Sequence, residues 1–279
     1  MGAHVSTSGG PHRAPARARS IGATVMQIFT KTPNQWRDPI IRDDVAAEFR
    51  KSVRQNKIAF VVGHDSYLIN LASPDPVVSR RSRTAFRAEL DRCRQLGLAA
   101  LVSHPGNYIT DRVGGLRRNA RACADALRQV DGVMVLFETT AGSGTALGST
   151  FEELARLREA IPADVRDRVA FCADTCHLYS AGYDLRDEWD AVWEEWERWI
   201  GFDLLHCLHL NDSKVPFESR RDRHELIGEG TLGAEPFRRI MRDARFKDIP
   251  KILETPKGDD DVNDRRMLRR LRAYARPRR

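Results

Sequence analysis

Eight short apolar runs recur along the whole chain, at residues 1–5, 23–29, 58–62, 98–102, 132–137, 169–173, 204–208 and 249–253. They are rich in Val, Ile, Leu and Phe and show little polar alternation, the pattern of strands covered on both faces in a parallel sheet. Helix-period segments lie between them. Residues 43–55 read as a helix opened by an aspartate cap, with Val45, Phe49 and Val53 on one face. Residues 77–95 carry Phe86, Leu90 and Cys93 in similar register, and Gly97 supplies the stop. Further helices are expected at 116–130, 150–160, 187–200, 234–243 and about 260–275. Strand followed by helix, repeated around the chain, predicts an α/β fold of one kind: a closed (β/α)8 barrel, or TIM barrel. No linker divides the sequence, so a single domain is expected over 1–279, ending in a helix and basic tail at 260–279. Gly114-Gly115, Pro11 and Pro162 are expected in loops. Trp189, Trp193, Trp196 and Trp199 form one helical stripe, which is expected to pack on the barrel.

Composition adds little to the fold and more to the setting. An apolar content of 41% supplies a sizeable core for 279 residues. The formal charge of +7 fits either an arginine-rich solvated surface or attraction to a polyanion. The five cysteines (Cys93, Cys123, Cys172, Cys176 and Cys207) form no compact disulfide framework, which suits a reducing compartment, and Cys172 and Cys207 read as core residues. No apolar run approaches the roughly 18–20 residues that span a membrane. Residues 1–37 lack acids, but the first six already read as strand and turn, so a cytoplasmic location is expected rather than a targeting segment. Either strand one is short or the start is misassigned.

The chemistry stands just past the strands. His4 follows the first run, His64 the third and His104 the fourth. Glu138, Asp174, His209 and Glu254 end strands five to eight. A parallel barrel gathers these at its C-terminal rim, where barrel active sites form. Converging imidazoles and carboxylates are costly to bury unless cations neutralise them. Imidazole with carboxylate and no thiolate suits Zn²⁺, with Mn²⁺ or Fe²⁺ as substitutes. His177, Asp222 and His224 follow in loops, and Asp-x-His sets two ligands on one side of an extended segment. Nine ligands fit two or three ions, with a carboxylate such as Glu138 bridging. His4 is expected to hydrogen-bond at the rim rather than ligate, and His206, inside a strand, to be structural.

The motifs His-Asp-Ser-Tyr-Leu-Ile-Asn-Leu-Ala (64–72), Ser-His-Pro-Gly (103–106), Glu-Thr-Thr-Ala-Gly-Ser-Gly (138–144), Asp-Thr-Cys-His (174–177), Ala-Gly-Tyr-Asp-Leu (181–185), His-Leu-Asn-Asp-Ser-Lys (209–214), Ser-Arg-Arg-Asp-Arg-His (219–224), Gly-Glu-Gly (228–230) and Leu-Glu-Thr (253–255) follow one another in order. Together they resemble the endonuclease IV family, zinc-dependent apurinic/apyrimidinic endonucleases, over nearly the whole chain. The resemblance implies three zinc ions: one on His64, His104 and Glu138; a second shared by Glu138 with Asp174, His209 and Glu254; a third on His177, Asp222 and His224. It implies hydrolysis of the phosphodiester 5′ to an abasic site in duplex DNA by a metal-bound hydroxide, with Glu138 or Glu254 orienting the nucleophile. The products would be a 3′-hydroxyl and a 5′-deoxyribose phosphate, and blocked 3′ ends would be trimmed by the same chemistry. It also implies that Tyr67 and Leu68 enter the base stack at the lesion and that Gln35 and Trp36 belong to a second recognition loop. Asn34 stands where some members use an arginine. Arg220, Arg221, Arg223 and Lys214 are candidate phosphate contacts, Arg223 with a salt bridge as its alternative. A monomer acting on the nucleoid, with no membrane partner, is expected. Two other readings remain: a sugar isomerase or epimerase on a related metal-bearing barrel, and a damage-binding protein with structural zinc.

Overall fold

The computed structural model describes residues 1–276; residues 277–279 of the predicted basic tail lie outside it. Eight parallel strands close a barrel: β1 (Gly2–His4), β2 (Val25–Phe29), β3 (Phe60–His64), β4 (Ala100–Ser103), β5 (Met134–Glu138), β6 (Val169–Asp174), β7 (Leu205–His209) and β8 (Lys251–Leu253). Consecutive strands are neighbours, and β1 closes the ring by pairing with both β2 and β8. The first strand is indeed short, at three residues. Several strands begin one or two residues later than the apolar runs, because each run starts in the buried approach to its strand.

The barrel interior is filled by Val25, Val62, Ala100, Val102, Leu136, Ala170, Cys172, Cys207 and Ile252. The larger core lies between barrel and helices, where Phe49, Phe86, Phe137, Phe151, Phe171, Trp193, Trp196 and Phe237 are fully buried. Each such side chain contributes roughly 1.5–3 kcal/mol of burial. All five cysteines are free and buried.

An outer helix follows every strand: Ala14–Ser20, Asp43–Gln55, Pro76–Leu96, Arg112–Leu127, Phe151–Glu159, Trp189–Trp199, Glu235–Arg242 and Val262–Tyr274. Gly97 ends its helix in the left-handed region at φ 74°, as its position predicts. Four expectations need correcting. Gly114 and Gly115 lie inside a helix, not a loop: Asp111 caps it by accepting from the Gly114 N–H, and Gly115 lets the helix pass close to Tyr108. The cap of the helix at 43–55 is Arg42, with no side-chain cap; Asp43 and Asp44 sit in the first turn instead, where they favour the helix dipole. Trp199 leaves the tryptophan stripe and is 40% exposed, while Trp189, Trp193 and Trp196 pack inward. The helix Ala14–Ser20 was not expected; its inward face is only Ala14, Pro15 and Ala18, too small to mark a period.

Two smaller elements shape the rim. The helix Thr175–Ala181 starts directly at the end of β6, and all its residues are buried. An antiparallel ribbon pairs Asp212–Ser213 with His224–Glu225, fixing the extended segment that carries Asp222 and His224.

Candidate metal centre

The strand register brings the predicted ligands together. His64, Glu138, Asp174 and His209 are the last residues of β3, β5, β6 and β7; His104 and Glu254 follow β4 and β8 directly. Asp174 and His209 are register partners on neighbouring strands. Asp174 is also the cap of the short helix, its Oδ1 accepting from the His177 N–H at 2.8 Å. That helix turns His177 back over the barrel mouth, which no apolar period in the sequence announces.

Glu138, fully buried, is the hub. Its Oε2 lies 3.2 Å from both His64 Nε2 and His104 Nε2. Its Oε1 lies 2.9 Å from His209 Nδ1, which is also 3.3 Å from Glu254 Oε2. Asp222 joins His177 Nε2 at 3.2 Å and His224 Nε2 at 3.1 Å. The side chains thus form groups able to hold ions: His64, His104 and Glu138; Glu138, Asp174, His209 and Glu254; His177 and His224 with Asp174; and Asp222 and His224 with Cys176. Cys176 lies near Asp222 and His224, and Cys172 and Cys207 near His209, so thiols are closer to the cluster than the sequence suggested.

The histidines are oriented from behind. His64 Nδ1 faces the Asp65 carbonyl at 2.9 Å, His177 Nδ1 the Thr139 carbonyl at 2.8 Å, His209 Nε2 the Gln27 Oε1 at 2.8 Å and His224 Nδ1 the Glu254 carbonyl at 3.3 Å. An N–H donated outward leaves the other ring nitrogen as a lone pair facing the carboxylates. The inward Nε2 atoms of His177 and His224 are buried without a hydrogen-bond partner. Lone pairs facing carboxylate oxygens at about 3 Å repel unless a cation or a proton lies between them, so the residues present fit a bound divalent metal.

Without metal the protons take that place. Burial alone would lower His64, but the Glu138 hydrogen bond and charge raise it to about 9. Burial likewise opposes His224, which Asp174 and Asp222 raise to about 9. His177 and His209 rise well above their ordinary range against the same burial penalty, through Asp174 and Asp222 for the first and Glu254 and Glu138 for the second. Burial would raise Glu138, Glu254 and Asp222, yet the surrounding histidines hold all three below the usual carboxylate range. Burial pushes Asp65, beside His64, up to about 7; its Oδ2 accepts from the Ser103 hydroxyl at 2.6 Å.

The groups behind the ligands escaped sequence reasoning. Asn211 donates to Asp174 Oδ2 and accepts from the Glu254 N–H at 2.9 Å. Gln27, fully buried on β2, was detectable as an amide within an apolar run, since a buried amide needs partners. His4 matches its expected role, with Nδ1 2.9 Å from Gln27 Nε2 and 3.6 Å from Glu254 Oε1. His206, on β7, meets the Asp203 carbonyl at 3.1 Å.

Of the predicted contact residues, Tyr67 stands beside a cluster histidine. Tyr67, 65% exposed, meets Phe29 edge-on at 5.5 Å and lies 6.1 Å from His64. Leu68 beside it is half-buried. Gln35 is exposed, while Trp36 is half-buried beneath the Arg81 guanidinium, 4.5 Å from the ring centre. A network of the buried Glu89, Arg92 and Lys31 with the half-buried Thr30 and the exposed Asp38 ties down the base of that loop. Arg223 is exposed and donates to the Asp222 carbonyl at 2.6 Å, a backbone partner in place of a salt bridge. A cavity of about 220 Å³ opens against His104, His177 and Asp222, walled by Gly142 and Ser143.

A parallel barrel with a carboxylate-histidine cluster at its C-terminal mouth defines a class, and residues 15–274 match the family model described as the xylose isomerase-like TIM barrel. The chain is 47% identical over 286 residues to the probable endonuclease 4 of Geobacter sulfurreducens, spanning 100% of this chain and 95% of that protein. The crystal structure of endonuclease IV from Thermus thermophilus superposes with a TM-score of 0.87 at 32% identity, covering 98% of this chain and 97% of that one. The chain belongs to the endonuclease IV family and is an enzyme of the hydrolase class, a nuclease. A D-psicose 3-epimerase from Clostridium cellulolyticum also superposes, with a TM-score of 0.71 over 99% of this chain, but at 15% identity it shares the fold alone.

Proposed function

We propose that this chain hydrolyses the phosphodiester 5′ to abasic sites in duplex DNA, leaving a 3′-hydroxyl and a 5′-deoxyribose phosphate, and that it removes 3′-blocking groups at the same centre. The observation that carries this reading is the convergence of nine side chains into adjoining clusters hinged on Glu138. A sugar epimerase needs fewer ligands and has no use for the exposed Tyr67 above the cluster. The proposed complement is three zinc ions, with His64, His104 and Glu138 holding one, Glu138, Asp174, His209 and Glu254 the next, and His177, Asp222 and His224 the third. Bound there, the ions would supply an activated water and neutralise charge on the phosphate.

The protein's own groups supply the rest. The outward hydrogen bonds of His64, His177, His209 and His224 set their rings before substrate arrives, so little reorganisation is needed at the reaction. Glu138 and Glu254, which bound ions would keep ionised, orient the nucleophile. Tyr67 and Leu68 occupy the gap beside the displaced abasic nucleotide, Gln35 and Trp36 follow the groove, and Arg223 meets a phosphate. The chain acts as a monomer in the cytoplasm, on the nucleoid; among the described residues no helix is long and apolar enough to cross a membrane.

A labelled abasic duplex incubated with the protein tests this directly. Cleavage 5′ to the lesion that stops on chelation and returns with zinc is expected. No cleavage of the abasic strand by zinc-loaded protein would overturn the reading.

A further inference from the structure

Gln27 is the one polar side chain among Val25, Met26, Gln27, Ile28 and Phe29 of β2, and none of it is exposed. Its amide reaches across the end of β1 to residues carried by two other strands. One oxygen and one nitrogen serve three partners. Oε1 lies 2.8 Å from His209 Nε2. Nε2 donates to Glu254 Oε1 at 2.5 Å and to His4 Nδ1 at 2.9 Å. An amide is the only neutral group that offers an acceptor and two donors from one planar end. Among the described residues no other group bonds His209 Nε2, so the amide oxygen decides that this nitrogen carries the proton and that Nδ1 faces Glu138 and Glu254.

We propose that Gln27 is a positioning residue: it fixes the tautomer of His209 and the orientation of Glu254, and thereby sets the affinity of the ion shared by Asp174, His209 and Glu254. The proposal rests on the metal reading above. Leucine at this position would leave the His209 N–H and one Glu254 oxygen without partners and let both side chains turn. Glutamate would keep an acceptor for His209 but set a second carboxylate against Glu254. The two substitutions therefore disturb different halves of the same bridge.

The test uses the full chain, stripped with chelator and titrated with zinc chloride against a chromophoric chelator, for the wild type, Gln27→Leu and Gln27→Glu. Folding of each metal-free protein is followed by circular dichroism. The expected result is that one zinc ion binds about 10–100-fold more weakly in both variants, with the remaining ions unchanged. Folded variants that bind every ion as tightly as the wild type would overturn the proposal. Equal weakening of all ions together with loss of the fold in both variants would make Gln27 a structural residue and overturn it as well. A wild type that binds no zinc would instead overturn the metal reading, which separates the two failures.

Discussion

Asp174 carries two structural duties besides its proposed one, and they can be separated. Its Oδ1 caps the helix Thr175–Ala181 by accepting from the His177 N–H, and its Oδ2 accepts from Asn211 Nδ2. Asp174→Ala removes the cap, worth about 0.5–2 kcal/mol. It also strands the buried Asn211 donor, costing about 1–3 kcal/mol. Asn211 cannot simply flip, because its Oδ1 already accepts from the Glu254 N–H. The sum is about 3 kcal/mol, or a fall of about 6–12 °C in melting temperature for a chain of this size. Asp174→Asn keeps one acceptor oxygen and so loses only one of the two bonds, placing it between the wild type and the alanine variant. Thermal melting followed by circular dichroism in chelator, at a pH above about 9 where His224 has lost its proton, reads these costs with no metal contribution. Repeating it with zinc should widen both gaps, by about 2.7 kcal/mol if the wild type is held at 100 times its dissociation constant and the variants bind no ion there. An alanine variant melting within about 1 °C of the wild type in chelator would refute the capping argument. Gaps that stay the same in zinc would refute the ligand assignment.

Glu254→Ala is expected to lower nicking of an abasic duplex by at least about 10³-fold in single-turnover assays while DNA binding stays measurable; full activity would remove its role. Tyr67→Ala should weaken binding to abasic duplex more than to intact duplex in fluorescence anisotropy, since the ring stands exposed above His64; equal losses would mean that it does not read the lesion. The pH dependence of the metal-free protein follows from His64 and His224, both raised to about 9. A histidine raised in the fold stabilises it fully below about 6.5, and that contribution disappears as pH rises through about 9. Urea midpoints of the stripped protein should therefore fall between these values. Zinc binding near pH 7.5 should also release protons, seen as a buffer-dependent heat in calorimetry; a heat independent of buffer would contradict it.

The barrel was legible because its signal is repeated. Eight buried strands must each be apolar on both faces, so the period is written along the whole chain, and the polar residue that ends each run marks the rim. Six of the nine ligand candidates, His64, His104, Glu138, Asp174, His209 and Glu254, could be found that way, whereas His177, Asp222 and His224 lie beyond the strand ends. Helix boundaries were harder to read. Gly114 and Gly115 suggest a loop by propensity, but the Asp111 cap at Gly114 and the close packing of Gly115 on Tyr108 outweigh their cost in a helix.

Sequence alone therefore determined the fold class, the rim position of the candidate ligands at the strand ends and their chemical type, all of which follow from local pattern. Only the tertiary structure decided how they are shared. That Glu138 touches both His64 and His209, that Asp174 caps the helix bearing His177, and that Gln27 on one side of the mouth holds His209 and Glu254 on the other are contacts between strand ends far apart in the chain. Their distances depend on how the sheet closes and in which register. No local pattern encodes that register; it is set by the packing of the whole barrel.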